Sequence, residues 1–306
     1  MSNTAIHIGF PKTGTTTLQK HLFAKHPGIL YLGKPYGDTD LKAMINRLVM
    51  QESTVYHSDS LKEYIKKHLA NEPGQEKKVF LISDETYVSA AKVRDKGVVA
   101  HRLKELFAEA KILVTIRNQM DAVKSGYIGG GRILGNVPKK YKNKIISFKE
   151  WLEISGKMYH GDFVRNVVYF DTIDYYARLF GKENICVLLF EDLVKNPHEF
   201  TRKLSLFLDI DFETSWDLIQ NAHENKRISQ ADFQIETLRS KLGFIGNVTL
   251  IVKLMNGLGE IWGTSKRSDV DIPGEWYQPL WNLYKEGNRK LVENYRLPLE
   301  NYGYPL

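Results

Sequence analysis

Short apolar runs alternate with amphipathic stretches along the first two-thirds of this chain. "AIHIGF", "KVFLISDE", "KILVTIRN" and "NICVLLFED" are rich in Val, Ile, Leu and Phe, and each ends in polar residues. Runs of this length and kind predict strands buried on both faces, as in a parallel sheet. Between them, "TTTLQKHLFAKH", "VVAHRLKELFAEA" and "FDTIDYYARLF" carry helical patterns. Strands alternating with helices predict a doubly wound α/β fold, mainly parallel, with helices on both faces. Such sheets collect ligands beyond the C-terminal ends of their strands. The residues to watch are therefore Pro11, Lys12 and Thr13, then Asp84 and Glu85, then Arg117 and Asn118, then Glu191 and Asp192.

Further along, "FEDLVKNPHEFTRKLSLFLDI" predicts a helix with Phe200, Leu204 and Phe207 on its apolar face, and beyond Ile210 the pattern is mostly helical. No Pro/Gly/Ser linker divides the chain. It reads as one domain over 1–306, with a core of about 5–230 and a helical extension of about 231–306. "GYIGGGRILGN", Gly126 to Asn136, is too glycine-rich for a stable helix and predicts a mobile loop. "PKKYKNK" reads as a solvated basic face. The most apolar long stretch, 242–263, is interrupted by Lys253, Glu260 and scattered Asn and Gly. That pattern favours a packed helical hairpin over a membrane-surface or subunit contact, and opposes a membrane span.

Composition narrows the class without naming it. With 306 residues, 42% hydrophobic and 26% charged, the chain is ordinary for a globular protein. The N-terminus "MSNTAIHIGF" lacks a basic n-region and an apolar core, which predicts a cytoplasmic protein. A single cysteine, Cys186, excludes an internal disulfide and lies in an apolar run, where an inert thiol is expected. No HExxH or paired CxxC supports a metal site. A net charge of +7 favours an anionic ligand or acceptor. The basic residues are scattered, with no nucleic-acid motif, so no nucleic-acid partner is expected.

The chemistry concentrates in "IHIGFPKTGTTTLQKHLF". Gly9 and Gly14 have the GxxxxG spacing of a triphosphate loop, but Thr15 stands where a Walker A lysine belongs, and Lys12 lies inside the bend. A glycine-bearing turn opening a helix aims backbone N–H groups at one anion, with Thr15, Thr16 and Thr17 adding hydroxyls. Lys12 would lie beside that anion and reach the group attached to it.

"GFPKTGTTTL" closely resembles the 5′-phosphosulfate loop of sulfotransferases that use 3′-phosphoadenosine 5′-phosphosulfate (PAPS), whose product is 3′-phosphoadenosine 5′-phosphate (PAP). The resemblance implies a P-loop-like fold. It makes Lys12 the residue on the transferring sulfuryl group, and Pro11, Thr13, Gly14, Thr15, Thr16 and Thr17 the phosphate cradle. "ILVTIRNQMDAVKSGY" resembles the family's second signature, placing Arg117 and Ser125 on the 3′-phosphate. "NKRIS" sits where some members cover that phosphate, which implies Lys226 and Arg227. The similarity spans about residues 5–230 and implies no metal.

Transfer to a hydroxyl needs a base. Glu85 is the candidate, with Asp84 its neighbour and His57 a distant alternative. The basic charge, the glycine-rich loop and the resemblance to glycan-modifying members favour a carbohydrate or glycolipid hydroxyl as acceptor, with a small alcohol or phenol the alternative. Two other readings stay open at this point. "VFLISDE" imitates a Walker B strand, which would suit a P-loop ATPase or kinase using Mg-ATP. A non-catalytic polyanion-binding module would explain the basic charge but not the motifs.

Overall fold

The computed structural model describes residues 3–70, 74, 78–89, 95–131, 146–155, 163–222 and 270–306. Five strands form one parallel sheet: β1, Thr4–His7; β2, Ile29–Gly33; β3, Val79–Ser83; β4, Lys111–Ile116; β5, Ile185–Leu189. Their order is β2-β3-β1-β4-β5, so the chain winds one way from β1 and then the other. β1 is central, pairing Ile6 with Ile82 on one side and with Ile112 on the other. The loop after β1 thus opens where the winding direction changes, the place such sheets present to ligands.

The two-residue period of each strand divides the core into two layers. Ile6, Phe80, Ile82, Ile112 and Val114 face one layer. It is covered by α2 (Thr39–Met50), α3 (Asp59–Ala70), α4 (Lys96–Leu106), α5 (Gln119–Gly126) and α8 (Tyr169–Phe180). Ala5, Val79, Leu81, Leu113 and Leu188 face the other. There the cover is α1 (Thr15–Thr17, continued by a π-helical turn over Leu18–Phe23), α10 (Pro197–Leu208) and α11 (Phe212–Gln220). Two-faced burial explains why the strands read as unbroken apolar runs. Short helices α6 (Phe148–Ser155), α7 (Phe163–Asn166) and α9 (Phe190–Lys195) complete the connections.

Three expectations change in detail. "ILYLG" is a fifth strand at the sheet edge, β2, which the apolar-run reading passed over. Gly126 to Gly131 do not form a loop: α5 runs into a π-helical turn over Tyr127–Gly131. Buried Tyr127 and Ile128 on its inner side hold that turn against the core and outweigh the low helix propensity of its glycines. Residues 132–136 lie outside the described residues, as do 138–144 and 242–263. "FEDLVKNP" breaks at Asn196–Pro197 into α9 and α10, with Pro197 opening the second helix. On α10, Phe200, Leu204 and Leu208 are buried and Phe207 is half-buried.

The described C-terminal part is one long helix, Gly274–Tyr295, burying Leu280, Tyr284, Asn288 and Leu291 on one face. Asn288 and Gln119 exchange amide hydrogen bonds of 2.6 and 3.1 Å, docking that helix on α5. No helix among the described residues is long and apolar enough to cross a membrane.

Leu204 is fully buried and Leu206, two residues along the same helix, is 74% exposed. Leu204→Ala is expected to cost about 3 kcal/mol in denaturant unfolding. Leu206→Ala is expected to stay within about 0.5 kcal/mol.

Candidate active site

The loop between β1 and α1 is a sharp bend built from two left-handed residues. Lys12 has φ 70° and Gly14, the N-cap of α1, has φ 82°. Gly14 has a second reason to lack a side chain, since a Cβ there would meet Leu193 Cδ2 at 2.9 Å. No side chain caps α1, and the Thr17 N–H donates to Gly14 O at 3.0 Å, so the helix start carries no side-chain acceptor where an anion would sit. Pro11, Thr16 and Thr17 are half-buried around the same bend.

Beneath the bend runs a buried chain of polar groups. Thr13 is fully buried, and its hydroxyl donates to Phe10 O at 2.6 Å. It sits 2.8 Å from Thr115 Oγ1. With Thr13 spent as a donor, Thr115 must donate to it, so His7 Nε2, 3.3 Å away, must donate to Thr115. His7 Nδ1 is then the acceptor for the Ser83 hydroxyl at 2.7 Å. Ser83 in turn accepts from Gln19 Nε2 at 2.9 Å. These directions run consistently along the chain when the imidazole is neutral. Burial enforces that state, lowering the His7 pKa from 6.5 to about 3. The Thr13 hydroxyl is therefore not free for a ligand, since it ties the loop to β4.

Three strand ends converge on the bend. From β4, Arg117 is buried, lies over the Phe190 ring at 4.6 Å, and donates from Nη1 to Lys12 O at 3.3 Å. Asn118 caps α5 by accepting from Met120 N at 2.9 Å. Ser125 is half-buried, near the end of α5. From β3, Glu85 accepts the Thr15 hydroxyl on Oε1, while Oε2 lies 3.8 Å from Lys34 Nζ. Burial lowers the Lys12 pKa; nearby Glu85 opposes that shift and Arg117 adds to it. Three sequence-distant residues thus share one electrostatic neighbourhood.

Asp84 and Glu85 divide their roles by burial. Asp84 is 2% exposed and has three partners: Thr86 N–H at 2.8 Å, the Tyr36 hydroxyl, and Lys34 Nζ at 2.8 Å. Those three contacts take up most of its acceptor capacity in a buried position, and nothing in them favours the Mg-ATP reading. The Glu85 side chain is 29% exposed. His57 is exposed in the loop between α2 and α3. Lys226 and Arg227 lie outside the described residues. From β5, Glu191 accepts from Asn118 N at 2.9 Å and from the Tyr304 hydroxyl at 2.9 Å. Burial raises its pKa, and these two donors pull the other way. Cys186 is a free thiol that burial pushes up to about 12, unfit as a nucleophile.

Sequence reasoning passed over Lys34 and Tyr36, the residues following β2. The strand-end rule that singled out Glu85 would have found them once "ILYLG" was recognised as a strand.

Comparison with protein families matches residues 3–240 to the family described as "Sulfotransferase domain". The chain belongs to the sulfotransferase family. It is thus a transferase of sulfuryl groups. The fold of this sulfotransferase is similar to that of a sulfotransferase from Alicyclobacillus acidocaldarius, with 17% identity and a TM-score of 0.50, over 84% of this chain and 96% of that one. It is similar also to mouse sulfotransferase SULT7A1 complexed with PAP, with 14% identity and a TM-score of 0.50, over 99% and 88% of the two chains. A comparison with curated proteins found no match.

The His7 chain makes this sulfotransferase sensitive to acid. Unfolded His7 takes up a proton near pH 6.5, whereas the folded ring stays neutral to about pH 3. The native state binds fewer protons in that window, so its stability falls as pH drops from 6.5 towards 3. The expected slope is up to about 1.4 kcal/mol per pH unit. It is read as the difference in urea unfolding between the wild type and His7→Gln across that range.

Proposed function

We propose that this sulfotransferase moves the sulfuryl group of PAPS to an acceptor hydroxyl by in-line displacement, releasing PAP. The observation that carries this reading is the convergence of Lys12, Glu85 and Arg117 around an uncapped helix start. The donor has three anionic groups. The loop amides with Thr15, Thr16 and Thr17 suit its 5′-phosphate. Lys12 suits the sulfuryl group and its bridging oxygen, and Arg117 with Ser125 suits the 3′-phosphate. Arg117 at a strand end has the fork geometry for bidentate phosphate hydrogen bonding. Lys226 and Arg227 are assigned to cover the same phosphate, on the resemblance of "NKRIS" alone. The PAP bound in the mouse structure of similar fold supports this choice of donor.

In the step itself, the acceptor oxygen attacks sulfur opposite the bridging oxygen, and its proton passes to Glu85. The S–O bond to the 5′-phosphate breaks, its electron pair stays on the departing phosphate oxygen, and Lys12 neutralises the charge that builds there. Glu85 suits the base because it is partly exposed beside Thr15, whereas Asp84 is enclosed. We assign the acceptor to carbohydrate or glycolipid hydroxyls, on the net charge of +7 and the resemblance to glycan-modifying members. A panel of glycans, glycolipids, alcohols and phenols with sulfur-labelled PAPS tests this by product mass spectrometry. Sulfation confined to phenols would reject the acceptor class.

By calorimetry, PAP is expected to bind roughly 10- to 100-fold tighter than AMP, the worth of one or two charge-assisted hydrogen bonds. Arg117→Ala is expected to erase most of that difference. Equal affinities in the wild type would remove the 3′-phosphate assignment.

Lys12→Ala and Glu85→Gln are each expected to lower turnover about a hundredfold while changing PAP affinity far less. Wild-type turnover in either variant would remove that residue from the chemistry.

A further inference from the structure

Gly129 lies in the π-helical turn that follows α5, in the glycine-rich stretch whose purpose the motifs leave unexplained. It is exposed, and it is not among the glycines with positive φ, so the backbone does not require it. Alanine is the better helix former there, and nearly all the described neighbours leave room for a methyl group. One neighbour does not. A Cβ at this position would lie 2.1 Å from Lys12 Nζ and 2.8 Å from Lys12 Cε, and among the described residues no other atom beyond its own turn is met within 4 Å.

We propose that Gly129 is a positioning residue for sulfuryl transfer, its missing side chain being the space that holds the Lys12 ammonium in line with the leaving group. The proposal rests on the reading of Lys12 as the residue that neutralises that group. Contacts hold the backbone on both sides. The Tyr127 ring is buried, stacks on Phe148 at 4.7 Å, and its hydroxyl donates to Ile146 O at 2.8 Å, while Ile128 beside it is also buried. On the other side, Lys12 stands in a left-handed conformation next to Thr13, which is bound into the chain of groups beneath the loop. The flexible end of the lysine has to move. Clearing a methyl group from 2.1 Å requires a shift of roughly 1 Å, a misplacement that costs a reacting group up to about a hundredfold in rate. The fold has no reason to suffer, because only the tip of a long side chain is disturbed.

The test is a double-mutant cycle of Gly129→Ala, Lys12→Ala and the pair. Turnover is followed with sulfur-labelled PAPS and the acceptor identified by the panel, and with water alone as slow hydrolysis. PAP affinity is measured by calorimetry and Tm by thermal unfolding. Gly129→Ala is expected to lower turnover roughly tenfold to a hundredfold, with PAP affinity within a few fold and Tm unchanged or higher. In the pair, turnover should equal that of Lys12→Ala, since a residue acting only through the lysine adds nothing once it is gone. Wild-type turnover in Gly129→Ala, multiplication of the two losses, or a collapse in Tm each overturns the proposal. If Lys12→Ala alone keeps wild-type turnover, the reading of Lys12 fails instead. A crystal structure of Gly129→Ala then decides the spacing by itself, and an ammonium left in place overturns it.

Discussion

Everything at this site depends on one backbone constraint: the chain must reverse sharply between β1 and α1, with Lys12 and Gly14 both left-handed. A lysine at φ 70° does not adopt that bend unaided, because a left-handed residue with a Cβ costs about 1 kcal/mol or more. The compensation lies underneath. Thr13, Thr115, His7, Ser83 and Gln19 pass hydrogen bonds in a single direction across β4, β1 and β3, and the last acceptor is the Phe10 carbonyl of the loop itself. Such a network is strong only when every member is satisfied, which the neutral histidine permits. The bend is held from below, which leaves its upper surface free of these contacts.

Charge is sorted by depth around that surface. Asp84 and Glu191 are carboxylates spent on architecture, one capping the turn after β3 and one bracing the end of β4. Glu85 keeps an exposed edge beside Thr15, and Lys34 stands near both β3 carboxylates. The C-terminal tail joins the same arrangement from far away in sequence. The Tyr304 hydroxyl holds Glu191, and the carbonyls of Tyr302 and Gly303 accept from Asn118 Nδ2 at 3.0 and 2.8 Å. The strand end bearing Arg117 is therefore fixed by the last residues of the chain as well as by the sheet.

The parallel sheet, its two-sided burial and the ligand-side residues were legible in the sequence, because each rests on local periodicity. Apolar runs mark strands covered on both faces, and the rule that ligands gather at strand ends needs only their order. Lys12, Arg117 and Glu85 were readable as candidates for the same reason, each following such a run. Sequence also carried the family, through the resemblance of "GFPKTGTTTL" to a 5′-phosphosulfate loop, and the family match over residues 3–240 bears it out. The edge strand β2 was not legible. "ILYLG" is short and half-exposed at Leu30 and Tyr31, without the unbroken apolar character of the central strands.

Only the tertiary structure decided what depends on contacts across the sheet. Asp84 and Glu85 are adjacent in sequence and equivalent in chemistry. Their difference comes from the Tyr36 hydroxyl and the closer approach of Lys34, 2.8 Å against 3.8 Å, both set by an unread strand. Thr13 looked like its threonine neighbours until Thr115, 102 residues away, claimed its hydroxyl. Gly129 looked like loop glycine until Lys12 was seen over it. Periodicity records which face of an element is buried, but not which distant side chain will meet it there. That is settled by packing, through pairs far apart in sequence.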